Sequence, residues 1–217
     1  MQNFENAIIL TAGLGSRLGH NLPKSLVEVN GRKIIDYQLD LIKDIPNVIV
    51  VVGFKAEEVI SYVSKIRPDV IFVRNFSYEN TGPLHSLKLA SNFTTGPFLV
   101  FDGDTLLNQE AFLTLYTKCK NTHFKSNIIG LTQSKSEQAV FAHINPDNNK
   151  IYKFSRLEKA DNEFCGPYFI VDKVEIRDNT YIFEFLSTKL PADYVILDVY
   201  EVDTPSELTF AIDNFKI

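Results

Sequence analysis

The chain has 217 residues, a formal net charge of −5, and 45% hydrophobic against 23% charged residues. That length suits one domain whose core stands without disulfides. The acidic balance excludes the basic patch on which a nucleic-acid surface depends, although a local cluster of cations can still hold a small polyanion.

Ala7-Ile8-Ile9-Leu10 is a short apolar run rich in β-branched residues, the pattern of a buried strand feeding a turn. From there to Lys24 the chain reads as a loop rather than a helix. Gly13, Gly15 and Gly19 permit positive φ and let backbone N–H groups approach a ligand, and Arg17 and Lys24 add two cations. A strand ending in glycines and fixed positive charge suits a nucleoside triphosphate. The spacing is neither that of a P-loop nor GxGxxG, so a phosphate site of another kind is expected.

Val27-Glu28-Val29 leads to an Asn30-Gly31 turn, after which Ile35, Leu39 and Ile42 recur at helical spacing until Pro46 ends the helix. Val48 to Val52 is a second buried strand, Ala56 to Lys65 a helix, and Val70 to Val73 a third strand. Strands that alternate with helices and are apolar on both faces predict a parallel sheet covered on each side. Pro83 opens the next helix, with Thr81 as its cap and Leu84, Leu87 and Ser91 on one face. Phe98 to Phe101 is a fourth buried strand and runs straight into Asp102-Gly103-Asp104. Ligands in open α/β sheets sit beyond the carboxyl ends of strands, where both the glycine loop and this acidic turn lie.

A helix follows from Gln109 to Cys119. Strand-like segments succeed it at Asn127 to Leu131, Ala139 to Ile144, Ile151 to Phe154 and Tyr168 to Val171, with a turn at Pro146-Asp147-Asn148-Asn149. Val195 to Val202 reads as one closing strand. Asp203 comes next, then Thr204-Pro205-Ser206-Glu207 as a capping box for a final helix over Leu208 to Phe215. No linker, internal repeat or low-complexity tract divides the chain, so one domain over residues 1–217 is expected. No window is apolar enough to span a bilayer and Met1-Gln2-Asn3-Phe4-Glu5-Asn6 lacks the basic start of a signal peptide, so no membrane insertion and a cytoplasmic location are expected. Cys119 and Cys165 lack metal-type spacing and read as reduced packing thiols.

The acidic turn carries metal chemistry. A hard ion such as Mg2+ takes carboxylate and phosphate oxygens; a strand end aims Asp104 at the ligand, while Asp102 supports the turn or contacts the ribose. No Ser-His-Asp constellation is evident, and none of the 4 histidines is assigned a catalytic role.

Leu10-Thr11-Ala12-Gly13-Leu14-Gly15-Ser16-Arg17-Leu18 followed by Leu22-Pro23-Lys24-Ser25-Leu26 resembles the signature of the nucleotidyltransferase superfamily. The resemblance implies an α/β fold, Rossmann-like, with three α/β/α layers around a mostly parallel, mixed sheet and a small β-rich extension. It implies a nucleotide-binding half over about residues 1–125 and an acceptor-binding half over about 126–217, with no covalent enzyme nucleophile. Leu10, Ala12, Gly13, Gly15 and Ser16 would cradle the nucleotide; Arg17 and Lys24 would neutralise charge as pyrophosphate leaves. Val202-Asp203-Thr204-Pro205 is similar to the context of the family's second metal aspartate, which makes Asp203 the partner of Asp104. Tyr78 to Leu87 matches the base-binding segment, with Asn80, Gly82 and Ser86 as contacts, and its Ser86-Leu87 is nearer the cytidylyltransferases than the hexose-phosphate enzymes. Glu158-Lys159 and Gly166-Pro167-Tyr168 resemble acceptor-side motifs, which adds Glu158, Lys159 and Tyr168 to the expected site.

The expectation is a Mg2+-dependent transfer of a nucleoside monophosphate, CMP favoured, from CTP to a small phosphorylated metabolite. The acceptor is phosphocholine-like or another headgroup for a surface glycan, and the protein a monomer or homodimer. The absence of hexapeptide repeats argues against the larger bifunctional sugar enzymes. A sugar-1-phosphate guanylyl- or uridylyltransferase is the second reading, and a non-catalytic nucleotide-binding regulator is the alternative of another class. A glycosyltransferase with an Asp-x-Asp site lacks the Gly13-to-Lys24 loop.

Overall fold

A computed structural model of the chain describes residues 4–19, 21–135, 139–175 and 181–216. Met1-Gln2-Asn3, used above to argue against a signal peptide, lie outside the described residues. The chain opens with β1 (Asn6–Leu10), entirely buried as its apolar run requires. A hairpin follows, β2 (Glu28–Val29) and β3 (Arg32–Lys33), turning at Asn30-Gly31. Both turn residues are left-handed, with φ of 51° and 79°, which is why Asn-Gly stands there. Helices and strands then alternate: α1 (Ile34–Leu41), β4 (Asn47–Val52), α2 (Ala56–Ile66), β5 (Ile71–Arg74), α3 (Pro83–Ser91) and β6 (Phe98–Asp102). The rest comprises β7 (Thr105–Leu107), α4 (Gln109–Asn121), β8 (Ile128–Gln133), β9 (Phe141–Asn145), β10 (Lys150–Ser155), β11 (Asn162–Ile170), α5 (Ile182–Ser187), β12 (Asp193–Ile196), β13 (Val199–Glu201) and α6 (Pro205–Asn214).

The central sheet is mixed and mostly parallel in its first half, as expected of the Rossmann-like class. Its order is β10-β9-β11-β6-β1-β4-β5, with β8 on β11 and β12 on β8. β6, β1, β4 and β5 are parallel neighbours, while β11 returns antiparallel on β6. The chain passes from β1 to β4 on one side and later returns to β6 on the other, so the strand order reverses between β1 and β6. At such a reversal the loops leaving both strands diverge and open a crevice. Two apolar clusters fill the two faces of the sheet. A third joins Leu18 of the glycine loop, Val29, Tyr37, Leu106, Val202 and Phe215, and so ties that loop to the hairpin, β7 and the C-terminus.

Several boundaries differ from expectation. Helix α1 stops at Leu41, well before Pro46, because Arg67 reaches across and donates to the carbonyls of Ile42 and Ile45 at 2.9 and 2.5 Å, satisfying the helix end by a tertiary contact. Thr81 is not the cap of α3: Gly82 occupies that position, and the Thr81 hydroxyl donates to the Ser77 carbonyl at 2.9 Å. Val195 to Val202 is two strands in two sheets, because the Leu197 amide closes the β8 pairing on the Leu131 carbonyl and the chain then crosses to β7. β11 begins six residues before Tyr168, at Asn162, since its polar first half is paired on both sides by β8 and β9. β7 and α5 have no counterpart in the expected elements.

The C-terminal cap forms as read from Thr204 and Glu207. Thr204 Oγ1 accepts from the Glu207 amide, while Glu207 Oε2 accepts from the amides of Thr204 and Asp203 at 2.9 and 3.0 Å. Thr204→Ala is expected to cost about 1 kcal/mol of stability, measured as a shift of the urea midpoint at unchanged slope.

Candidate active site

The glycine loop leaves β1 as a loop with two single 3-10 turns, Ser16–Leu18 and Lys24–Leu26. Gly15 and Gly19 take φ of 60° and 74°; Gly13, expected to share that role, does not. Gly15 is required on a second count, because a Cβ there would meet Lys24 Cγ at 3.0 Å. The lysine stem lies across the loop and its direction is set by that bare position. Ala12 is buried, and its carbonyl accepts from Phe54 N at 3.1 Å, fixing the loop's first turn to the turn that follows β4. Ser16 and Arg17 are exposed.

The acidic turn after β6 is welded to this loop. The Gly103 amide donates to the Leu10 carbonyl at 2.9 Å, and a Cβ on Gly103 would stand 2.5 Å from that same oxygen. From the third direction, β13 pairs with β7 so that Glu201 faces Thr105, and the Val202 amide donates to the Asp104 carbonyl at 3.0 Å. Residues about a hundred apart in sequence thereby meet at one point. Lys24 Nζ contacts Asp104 Oδ2 at 2.7 Å and also touches Asp203 Oδ1, while Arg17 pairs with Asp203 Oδ2 at 2.6 Å. The Lys24 and aspartate side chains are only about a fifth exposed, at 18, 23 and 19%, whereas Arg17 is 66% exposed.

Asp104 and Asp203 therefore stand within reach of a single cation. Among the described residues no three His, Cys, Asp or Glu side chains converge as a metal cluster. Two carboxylates, with further oxygens supplied by a bound phosphate, nonetheless match the donor set that Mg2+ takes.

Asp102 points another way. Its Oδ2 would be 2.8 Å from a Cβ at Gly166, so the carboxyl lies against bare backbone of β11 and faces the fully buried Tyr168. Burial pushes this carboxyl up to about 7 and the charge of Asp104 adds to the rise, while Lys24 opposes it. Glu201 is exposed at the surface, yet desolvation, then the charges of Asp104 and Asp102, push it up to about 8. Burial and the negative charge of Asp102 likewise raise the Tyr168 phenol well above its usual value.

In the base-binding segment, Asn80 is exposed, Gly82 opens α3, and Ser86 is buried. Sequence reasoning missed the residue that organises it. Asn75 is 1% exposed and donates to Thr81 Oγ1 and Ser86 Oγ at 3.0 and 3.1 Å, while its own oxygen accepts from the Ser77 amide at 2.9 Å. The signal was a polar residue directly after β5. Glu158 and Lys159 lie in the loop between β10 and β11, where Glu158 is paired with Lys153 at 2.5 Å and held low by that lysine. Glu158 is not among the partners of Lys24; a further carboxylate that feels the charge of Asp104 is Glu201, paired opposite Thr105, which the sequence had concealed inside an assumed continuous strand.

Residues 7–151 match the family described as the MobA-like NTP transferase domain. The choline-phosphate cytidylyltransferase of Haemophilus influenzae is 32% identical over 114 residues, 50% of this chain and 48% of that protein. The CTP:phosphoglutamine cytidylyltransferase of Campylobacter jejuni is 37% identical over 93 residues, 41% of this chain and 36% of its own. The chain thus spans less than half the length of these relatives. In three dimensions it is similar to the CTP:phosphocholine cytidylyltransferase of Streptococcus pneumoniae, with a TM-score of 0.79 and 22% identity over 97% of this chain and 99% of that one.

Proposed function

The chain belongs to the MobA-like NTP transferase family, and from that premise we propose that it transfers CMP from CTP to a small phosphorylated acceptor with release of pyrophosphate. One observation carries the reading: Arg17, Lys24, Asp104 and Asp203, contributed by three distant segments, converge where the glycine loop meets the acidic turn. The joint presence of all four speaks for turnover over a regulator that only binds nucleotide.

In the reaction an oxygen of the acceptor phosphate attacks the α-phosphorus, and the bond to the β-phosphate oxygen breaks in line with it. Lys24, fixed across the loop, faces the charge that develops on the phosphates, and the exposed Arg17 neutralises the departing pyrophosphate. Asp104 and Asp203 would hold Mg2+, which when bound neutralises phosphate charge. The loop amides hold the triphosphate in place, so that catalysis is positioning and charge stabilisation with no enzyme-bound intermediate. Phosphocholine and phosphoglutamine are the acceptors named for the two cytidylyltransferase relatives, and a small phosphorylated headgroup of that kind is the favoured acceptor here. A supply of headgroups for surface glycans, and a monomer or homodimer in the cytoplasm, are the accompanying expectations. No helix among the described residues is long and apolar enough to cross a membrane.

A thermal-shift screen with CTP, UTP, GTP, ATP and dTTP in Mg2+ tests the nucleotide. CTP at about 100 times its Kd should stabilise the fold by about 2.7 kcal/mol, with a smaller response to the others. A response to UTP or GTP in its place would move the assignment to the sugar-1-phosphate reading. Binding without pyrophosphate release from any phosphorylated acceptor in a panel would leave a regulator.

A further inference from the structure

We propose that Gln38 is the positioning residue of the acidic turn: its carboxamide grips the turn from behind and sets where Asp104 stands. Gln38 was not among the expected site residues. It lies on α1, fully buried, amid Ile34, Ile35 and Leu39, where an apolar side chain would be the ordinary choice. A buried polar group is costly unless its hydrogen bonds are met. Both hydrogens of Nε2 are used, one on the Asp102 carbonyl and one on the Thr105 carbonyl, each at 2.8 Å, while the buried Oε1 has no hydrogen-bond partner among the described residues, so the grip on the turn is the carboxamide's whole return for its burial. Those two carbonyls bracket Gly103-Asp104.

The turn is thus held from three sides. In front, the Gly103 amide bonds to β1; at the side, the Asp104 carbonyl accepts from Val202 on the β13 ribbon; behind, Gln38 takes the carbonyls at either end. The first two grips are backbone and survive most substitutions. Gln38 is the side chain among them, and its span from one carbonyl to the other fixes the turn's width. Asp104 projects from the middle of that span toward Lys24 and Asp203. The carboxamide donates nothing to the nucleotide loop, so its loss separates placement of Asp104 from capture of the triphosphate.

This inference rests on the nucleotidyltransferase reading for its kinetic arm only. Gln38→Met keeps the length and bulk and removes both donors. In the full chain, amide hydrogen exchange at Gly103, Asp104 and Thr105 should quicken while β1 and β4 keep their protection, which requires no turnover. With CTP and the acceptor that supports reaction, kcat should fall by about 100-fold with KM for the triphosphate retained. Wild-type exchange at the turn overturns the proposal, and so does a loss expressed in KM with kcat intact. Should the wild-type protein turn over no triphosphate, the functional reading fails and the exchange measurement still decides the role of Gln38. If Gln38→Met does not fold, Gln38→Glu serves: equal in shape, its protonated form keeps one donor and should give exchange and kcat between wild type and a donorless side chain, while ionisation as pH rises sets a carboxylate against the two carbonyls and should quicken exchange further. Wild-type values in both would equally overturn the assignment.

Discussion

Asp104→Ala is expected to lower pyrophosphate release by about 100- to 1000-fold with the fold preserved. Asp104 sits in the turn that β1, β13 and Gln38 hold from three sides, so its carboxylate is placed before substrate arrives and spends nothing on reorganisation. The variant leaves Lys24 its second partner, Asp203, and therefore creates no unpaired buried charge. Lys24→Ala should be equally damaging to turnover, yet it leaves the Asp104 and Asp203 carboxylates facing each other without the cation between them. A thermal melt should therefore separate the two: nearly unchanged for Asp104→Ala and lowered for Lys24→Ala, most clearly at low salt, where like charges are least screened. Initial rates at saturating CTP and Mg2+ are the measurement. A near-normal rate for Asp104→Ala would remove it from the catalytic site.

Gly103→Ala carries the second large effect. The added Cβ would stand 2.5 Å from the Leu10 carbonyl oxygen and 3.2 Å from Thr11 Cα, both backbone atoms with no rotamer to yield. The turn must lift away from β1, which breaks the Gly103 amide bond to Leu10 and widens the gap between the acidic turn and the glycine loop. Overpacking of this kind costs about 1–3 kcal/mol, and displacement of Asp104 from Lys24 should reduce turnover by about 100-fold. Gly13→Ala provides the contrast: nothing lies within 4 Å of its Cβ and its φ is not positive, so urea denaturation should find it close to wild type. Equal midpoints for the two variants would show that the close approach is not a constraint.

The parts of the site legible in sequence were those whose local chemistry is self-announcing. Arg17 and Lys24 stand in a glycine-spaced loop after an apolar strand, Asp104 ends another such strand, and Asp203 precedes a capping box; each signal is contained within about ten residues. Gln38 and Asn75 carried no such mark. A glutamine within a helix and an asparagine after a strand are common surface residues, and only the path of distant segments buries them and gives their amides partners. Glu201 was hidden for a related reason. The apolar run from Val195 to Val202 has the same alternation whether it pairs with one neighbour or two, so the break at Leu197 and Asp198 depends on which strand edge is nearby.

By itself the sequence determined the alternation of strands and helices, the buried parallel half-sheet, the capped last helix and the four charged residues of the crevice. Periodicity, turn chemistry and capping act over a few residues, and so are written into the local order of side chains. The tertiary structure alone decided that Lys24 lies between Asp104 and Asp203, that β13 crosses to β7 to bring Glu201 beside the acidic turn, and that Gln38 reaches that turn from behind. Those relations join residues 60 or more apart, as the 64- and 67-residue separations of the Gln38 bonds illustrate. They follow from which sheet edge and which helix face remain uncovered once the core has packed, a property of the folded chain as a whole.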